Sequence, residues 1–241
     1  MILSRIISII LGYVCGLFPT GSLIGRAHET DLTQEGSGNT GMTNSIRVLG
    51  WRAGILVFVG DFIKTTIPIV VIWLIYRHIY PDMVKLLMLY AGVGAILGHN
   101  FPLYAKFKGG KGIVCSIATI IIFDWRIAPI CTVLFFATVI PTYYISVGSL
   151  SILAGFFVQT IVFGQLGILH IASQFLVETY ILAGIMTAVG FFMHRENLQR
   201  LANGTERKFQ PNKNKKEASE GSGENKTAQA EKSSAQEDTH G

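Results

Sequence analysis

The sequence predicts an all-α fold, a polytopic integral membrane bundle of about seven transmembrane helices. Half of the 241 residues are hydrophobic and only 15% are charged, a composition that is too apolar for a soluble domain of this length. The mean hydropathy of +0.45 agrees with this. The apolar residues also form long runs on both sides of short polar stretches, as expected of a chain that crosses a bilayer several times.

The first two apolar runs are each long enough to cross a membrane. Residues 2–25 form the first predicted span, because a helix rises ~1.5 Å per residue and the hydrocarbon core is ~30 Å thick. A secretory signal is the alternative, but no Ala-x-Ala site follows. Gly12 and Gly16 would let another helix approach closely. The second span, residues 51–76, contains Asp61 and Lys64, which should pair or face a hydrated cavity because each unpaired charge costs ~3 kcal/mol.

The later runs complete the predicted bundle. A run that starts at residue 83 is expected to end or kink at Pro102. Residues 113–123 are too few to span alone, whereas residues 127–145, 147–169 and 174–193 are predicted spans, the first bent by Pro129 and Pro141. The Lys and Arg residues place the loop that begins at Gly36, the loop of residues 106–111 and the C-terminal tail on one side of the membrane. The positive-inside rule makes that side cytoplasmic. An odd number of spans then places the N-terminus outside.

The end of the chain differs from the predicted membrane domain of residues 1–210. Residues 211–241 are rich in Lys, Glu, Ser and Gly and have almost no large apolar side chains, which predicts a disordered polar tail. The tail contributes −1 to the formal net charge of +5, so the positive charge lies in the membrane domain. Cys15, Cys115 and Cys131 form no CxxC pair, and neither a disulfide framework nor a metal site is predicted.

A polar stretch at residues 36–47, GSGNTGMTNSIR, interrupts the apolar runs. Its glycines allow backbone N–H groups to point outward and bind an anion. Its hydroxyl and amide side chains can donate hydrogen bonds to phosphoryl oxygens, and Arg47 adds a guanidinium that matches phosphate bidentately. The stretch has the composition of a phosphate site, and a plain Gly/Ser/Asn linker is the alternative.

Two further polar stretches are candidates for the same chemistry. Residues 106–112, KFKGGKG, suit a loop that wraps an anion, but they lack the GxxxxGK[ST] spacing of an NTPase. The alternative is a basic loop that touches anionic lipid. After the last span, a continued helix would place His194 and Asn197 on one face beside the other two stretches. A basic helix end without function is the alternative there.

Taken together, the three stretches resemble the PlsY family, the bacterial acyl-phosphate:glycerol-3-phosphate acyltransferases. The resemblance covers residues 1–208 and departs from the family at Met42, where Ala is usual, and at residues 113–115, where Val-Ala-Thr is usual. These departures affect the geometry around the anion and leave the implied activity unchanged. The resemblance rests on three motifs in order: Gly36-Ser37-Gly38-Asn39 with Thr43, Asn44 and Arg47; Gly98-His99 with Pro102 and Phe107-Lys108-Gly109-Gly110-Lys111-Gly112; and His194-Arg195 with Asn197, Arg200, Leu201 and Glu206.

The resemblance implies transfer of a fatty acyl group from acyl phosphate to the 1-hydroxyl of sn-glycerol 3-phosphate, which gives lysophosphatidic acid and phosphate. This is the first acylation of phospholipid synthesis. It also implies a multi-pass protein of the bacterial cell membrane whose active site faces the cytoplasm. We expect no metal or other cofactor, no nucleic acid partner, and functional coupling to an enzyme that forms acyl phosphate. Acyl phosphate has a good leaving group, so alignment and charge neutralisation can suffice without an acyl-enzyme.

The resemblance also implies site residues. The catalytic candidates are Ser37, Arg47, Lys111, His194 and Asn197, with Arg47 and Lys111 neutralising the two phosphates. His194 and Asn197 would bind glycerol 3-phosphate. His194 would be a protonated phosphate ligand or the general base, and we favour the ligand role; a substrate phosphate is the alternative base. The candidates for orienting or cradling phosphoryl and glycerol oxygens are Asn39, Thr43, Asn44, Gly109, Gly110 and Gly112.

Two other functions are alternatives to acyl transfer from acyl phosphate. An acyltransferase that uses coenzyme A or a carrier protein would need a His-x4-Asp pair, and no His here has Asp five residues later. A transporter or flippase for a phosphorylated lipid or metabolite would use Asp61 and Lys64 along a path, but the two halves show no obvious repeat. His99, close to Pro102, is expected to be structural.

Overall fold

The computed structural model describes residues 1–209, so the predicted tail of residues 211–241 lies outside the described residues. Residues Met1–Arg207 form one compact unit. Its elements are all helical in the described part: α1 (Ile2–Gly16), α2 (Thr20–Ala27), α3 (Met42–Leu49), α4 (Trp51–Tyr76), α5 (Val84–Asn100), a 3-10 turn (Leu103–Ala105), α6 (Ile113–Phe123), α7 (Ile127–Thr142), α8 (Ile145–Gln165), α9 (Ser173–Met193) and α10 (Arg195–Ala202).

Most predicted spans correspond to observed helices. Five segments of the described part are long and apolar enough to cross a membrane: Ile2–Ala27, Trp51–Tyr76, Val84–Ala105, Ile145–Gln165 and Ser173–Met193. The shorter apolar helices α6 and α7 correspond to the other two of the seven predicted segments. The all-helical fold is therefore confirmed, whereas seven complete crossings and the orientation of the termini stay predictions.

The first span is interrupted, which corrects the expectation of one continuous helix over residues 2–25. Helix α1 ends at Gly16 and α2 begins at Thr20, directly after Pro19. Proline has no backbone N–H and so cannot continue the hydrogen-bond ladder of α1. The Nζ of Lys64 donates to the carbonyl oxygen of Phe18 at 2.9 Å, so one backbone group at the break has a partner within the bundle.

Helix α5 is the central helix, and α1 packs against it with backbone contact. A Cβ added to Gly12 would lie 2.0 Å from the carbonyl oxygen of Ala91, and one on Gly16 would lie 2.2 Å from that of Ala95. Only glycine fits at such separations, as the small-residue spacing in α1 predicts. Nearly three quarters (72%) of the apolar window in Val84–Ala105 is buried inside the protein. Helix α5 is therefore held inside the bundle.

The end of α7 differs from prediction. Helix α7 ends at Thr142, one residue after Pro141, and Tyr143 adopts a left-handed conformation with φ of 61°. Left-handed backbone cannot continue a right-handed helix, so α7 is three residues shorter than expected. Of the two alternatives for Asp61 and Lys64 in α4, the structure shows pairing, with 2.8 Å between Oδ1 and Nζ.

Candidate active site

The three polar stretches come together at one place in the fold. The ammonium of Lys111, in the loop before α6, donates a hydrogen bond to Oδ1 of Asn197 in α10. Arg207, which follows α10, donates from Nη1 to the carbonyl oxygen of Gly36 at 2.7 Å. These contacts join residues that are 86 and 171 positions apart in the chain. The predicted meeting of the three stretches is therefore present in the structure.

Of the polar stretch 36–47, only residues 36–41 form a loop, because α3 begins at Met42, and Asn44 in that helix holds the loop in place. Its Oδ1 accepts hydrogen bonds from the N–H of Ser37 at 2.7 Å and from Nη1 of Arg47 at 3.2 Å. Its Nδ2 donates to the carbonyl oxygens of Leu32 and Glu35 at 3.2 and 3.0 Å. The side chain is buried, and both of its polar atoms bind protein groups. The structure therefore corrects the expectation that Asn44 orients substrate; it holds the loop and Arg47.

Other predicted residues of this loop remain accessible. Ser37 is exposed, and Thr43, at the start of α3, is half-buried. The Oδ1 of Asn39 accepts a hydrogen bond from the N–H of Gly41 at 2.8 Å, which closes a tight turn ahead of α3. The hydroxyl of Ser37 and the amide N–H₂ of Asn39 are thus the loop donors best placed to reach a bound anion.

The glycines of residues 109–112 serve close packing. The N–H of Gly109 donates to the carbonyl oxygen of Asn100 at 3.0 Å, and that of Gly110 to the carbonyl oxygen of His99 at 3.2 Å. A Cβ on either glycine would lie 2.0 Å from an atom of His99, and one on Gly112, where φ is +73°, would lie 2.4 Å from Oδ1 of Asn100. The expectation that Gly109 and Gly110 cradle a phosphate is corrected, because their N–H groups already bind the end of α5.

A chain of hydrogen bonds holds Lys111 in place. Asn197, which accepts from Lys111, donates from Nδ2 to Oε1 of Glu206 at 2.6 Å. The other oxygen of Glu206 accepts from Nε of Arg200 at 2.7 Å, and Ser146 donates to Oε1 at 2.9 Å. We call this set the Lys111–Asn197–Glu206 chain. It fixes the ammonium group against α10 and thus limits where an anion can meet it.

Cations outnumber carboxylates around this chain. Burial lowers the pKa of Lys111, and the nearby charges of Arg200 and Arg47 lower it further, while the carboxylates of Glu206 and Glu196 raise it. Burial likewise lowers the pKa of Arg47, with a further contribution from Arg207. Four cationic side chains therefore repel one another around Glu206. A bound phosphate would relieve this repulsion, so the electrostatics of the site favour anionic ligands.

His194 is buried at the end of α9, in surroundings that favour its neutral form. Its Nδ1 lies 2.8 Å from the carbonyl oxygen of Gly190, which can only accept, so Nδ1 carries the proton and Nε2 is an acceptor. Burial lowers its pKa to about 4, and the charge of Lys111 contributes to this shift. Without a bound phosphate this environment favours the neutral imidazole. The choice between a protonated phosphate ligand and a general base stays a prediction.

Three residues of the site were given no role in the sequence analysis. Glu206 and Arg200 complete the Lys111–Asn197–Glu206 chain, and Arg207 binds the carbonyl oxygen of Gly36. The signal for the first two was their place in the third motif after Asn197, and Arg207 directly follows that motif. Within residues 1–209, no group of three His, Cys, Asp or Glu side chains is arranged to hold a metal ion.

The chain is similar to known acyltransferases over nearly its whole described length. A family model described as glycerol-3-phosphate acyltransferase matches residues 6–204. The glycerol-3-phosphate acyltransferase of Bacillus subtilis is 34% identical over 203 residues, which cover 83% of this chain and 95% of that protein. Glycerol-3-phosphate acyltransferase 2 of Lactobacillus johnsonii is 37% identical over 206 residues, covering 85% and 87%.

Two solved structures share the fold. Both are crystal structures of PlsY (YgiH), an integral membrane glycerol 3-phosphate acyltransferase, one in a glycerol 3-phosphate form and one in a lysophosphatidic acid form. Their TM-scores are 0.73 and 0.72 at 28% sequence identity. Each match covers 86% of this chain and 96% of the solved chain.

Proposed function

We propose that this chain, which belongs to the glycerol-3-phosphate acyltransferase family, takes its acyl group from an acyl phosphate. The protein is a membrane-embedded acyltransferase, and its acceptor in this proposal is the 1-hydroxyl of sn-glycerol 3-phosphate. The observation that carries the proposal is the convergence of Arg47, Lys111 and Arg207 around one buried polar chain. A site with this excess of positive charge suits a reaction in which both substrates carry phosphate.

In the proposed reaction the hydroxyl oxygen attacks the carbonyl carbon of the acyl phosphate. The bond from that carbon to the phosphate oxygen breaks, and phosphate leaves with the electron pair. The hydroxyl proton passes to Nε2 of His194, which is an acceptor in the neutral ring. Phosphate is a good leaving group, so the site needs alignment and charge neutralisation and no covalent acyl-enzyme. The products are lysophosphatidic acid and phosphate.

The cations have separate tasks in this proposal. Lys111, set in place by Asn197, neutralises one phosphate, and Arg47, held by Asn44, binds the other. The exposed hydroxyl of Ser37 donates to a phosphoryl oxygen close to Arg47. Three further donors contact the remaining phosphoryl and glycerol oxygens in this proposal. They are the side chains of Asn39 and Thr43 and the backbone N–H of Gly112.

The proposed cellular setting follows from the substrates. Glycerol 3-phosphate is water-soluble and acyl phosphate carries a lipid tail, so the site lies at the cytoplasmic face of a bacterial cell membrane. The multi-pass helical fold of the described chain supports a membrane location. Because acyl phosphate is a reactive mixed anhydride, we expect functional coupling to the enzyme that forms it.

A detergent assay tests the donor. The purified full chain in micelles, given acyl phosphate and glycerol 3-phosphate, should release phosphate and form lysophosphatidic acid. Acyl-CoA serves as the control donor and should give no product. Equal or faster turnover with acyl-CoA would refute the acyl-phosphate donor, and phosphate release without lysophosphatidic acid would refute the transfer.

A further inference from the structure

Three ionisable side chains that the proposed chemistry does not use lie together inside the bundle. Lys64 Nζ is 2.8 Å from Oδ1 of Asp61 and 2.9 Å from Nδ1 of His99, and that ring nitrogen is 3.6 Å from the same carboxylate. The exposed fractions of the Asp61, Lys64 and His99 side chains are 3%, 7% and 9%. We call this group the Asp61–Lys64–His99 cluster.

The cluster lies directly beneath the loop that carries Lys111. A Cβ on Gly110 would lie 2.0 Å from Nε2 of His99, and its next nearest atoms also belong to that ring. The backbone N–H of Gly110 donates to the carbonyl oxygen of His99 at 3.2 Å. The ring therefore supports the loop one residue before Lys111.

Contacts on the other side of the ring fix its orientation. The ammonium of Lys64 donates to Nδ1 of His99, which turns Nε2 toward Gly110. Lys64 also donates to the carbonyl oxygen of Phe18 at the break between α1 and α2. One ammonium group thus connects that break, helix α4 and the end of α5. Asp61 supplies the negative charge that keeps this ammonium inside the bundle.

We propose that His99 is a positioning residue for acyl transfer: Lys64 and Asp61 hold its ring, and the ring sets the position of Gly110 and hence of the Lys111 ammonium. The inference rests on the proposed role of Lys111. A buried ion pair is often no more stabilising than apolar side chains of similar volume, so stability alone does not account for the cluster. Catalysis, by contrast, is sensitive to displacements of ~1 Å in a group that contacts the reacting phosphate.

The first test replaces both charges and leaves His99 in place. The double variant Asp61→Leu/Lys64→Met exchanges the pair for apolar side chains, so no uncompensated charge remains in the bundle. We expect kcat for acyl transfer to fall on the order of 10- to 100-fold, with KM for glycerol 3-phosphate changed by less than about threefold. A kcat equal to that of the wild type in the folded variant would overturn the inference.

A second ion pair within the helices provides the matched control. Arg5 donates to Oε2 of Glu178 at 2.6 Å, and Tyr90 donates to Oε1 at 2.7 Å. Tyr90 precedes His99 by nine residues in α5, which is ~13 Å along the helix. The double variant Arg5→Gln/Glu178→Gln should therefore keep the wild-type kcat. A loss equal to that of the Asp61/Lys64 variant would show a general effect of removing charge and refute specific positioning.

The second test stays decisive if the first variant does not fold. Gly110→Ala alone places a methyl group against the ring of His99 and should lower kcat about tenfold or more. His99→Ala removes the ring, so adding Gly110→Ala to it should cost no further activity and should restore part of what His99→Ala loses. Independent, multiplicative losses in the double variant would show that the ring does not position the loop.

The outcome for Lys111→Gln separates this inference from the proposed function. If Lys111→Gln lowers turnover strongly while the cluster variants keep the wild-type kcat, the proposed function holds and the positioning role of His99 is wrong. If Lys111→Gln leaves turnover unchanged, the proposed function of the loop is itself wrong.

Discussion

Replacing Lys111 by Gln measures what its charge contributes to catalysis. The ammonium is largely buried and hydrogen-bonded to Asn197, so it can meet a phosphate in a partly dehydrated site. Loss of a hydrogen bond to a charged group costs ~1.5–3 kcal/mol, and more where the anion is left unpaired. Since each ~1.4 kcal/mol is tenfold, kcat/KM should fall about ten- to more than a hundredfold.

Lys106→Gln is the matched control for this variant. It is the same substitution in the same loop, but Lys106 is exposed and lies five residues earlier, before the glycines. A surface lysine close to anionic lipid contributes only ~1 kcal/mol, so turnover should scarcely change.

The assay is phosphate release from acyl phosphate with glycerol 3-phosphate present, in variants that are inserted and folded to wild-type levels. Equal and minor losses at the two positions would refute the reasoning. The loop of residues 106–112 would then be a basic patch that contacts lipid, and Lys111 would have no part in the chemistry.

Three further predictions concern the rest of the chain. Truncation after Gln210 should keep activity within about twofold, because a segment too polar to form a core has no packing to lose; a collapse in an inserted truncation would contradict this. Single cysteines at Ser37, Lys108 and Asn203 in a Cys-free background should be labelled from one and the same membrane side, and labelling of any one from the opposite side would contradict a shared site. Since burial lowers the pKa of His194 to about 4, only the substrate phosphates, with a second pKa of about 6, should titrate between about pH 5 and 8, and His194→Gln should leave the shape of the kcat/KM profile in that range unchanged; loss of a step near pH 6.5 in this variant would contradict a neutral, proton-accepting ring.

Hydropathy was sufficient to predict the long apolar helices, but it predicted neither α3, which lies in the polar stretch, nor the break in the first span. The predicted bounds of α4 and of α6 agree with the structure, because each is an apolar run with polar or glycine residues at its ends. The interruption between α1 and α2 was missed. The break occurs at Pro19, and Lys64, 46 residues later in the chain, binds the carbonyl oxygen of Phe18 there. A tertiary contact of this kind leaves no signal in a window of neighbouring residues.

Composition was sufficient to identify the segments that form the site. The hydrogen bonds and the protonation of individual groups follow only from the fold. Lys111 and Asn197 were predicted and bind each other, and Arg47 was predicted and lies near enough for its charge to lower the pKa of Lys111. The N–H groups of Gly109 and Gly110 were expected to bind an anion, but the end of α5 already uses them. Burial decides the protonation of His194, and burial cannot be read from the residues beside it in the sequence.

The separation of Lys111 from Asn197 along the chain also has a consequence during synthesis, because the side chain that holds the ammonium is made late. Asn197 leaves the ribosome 86 residues after Lys111, and Glu206 nine residues later still. At ~5–20 residues per second this gap lasts ~4–17 s, during which helices α6 to α9 are already being inserted. On the proposed role of Lys111, a nascent chain holds this lysine without the side chains that orient it until Asn197, in the first turn of α10, and Glu206, beyond that helix, have been made. Membrane-inserted products that end before residue 197 are then expected to be inactive toward acyl phosphate.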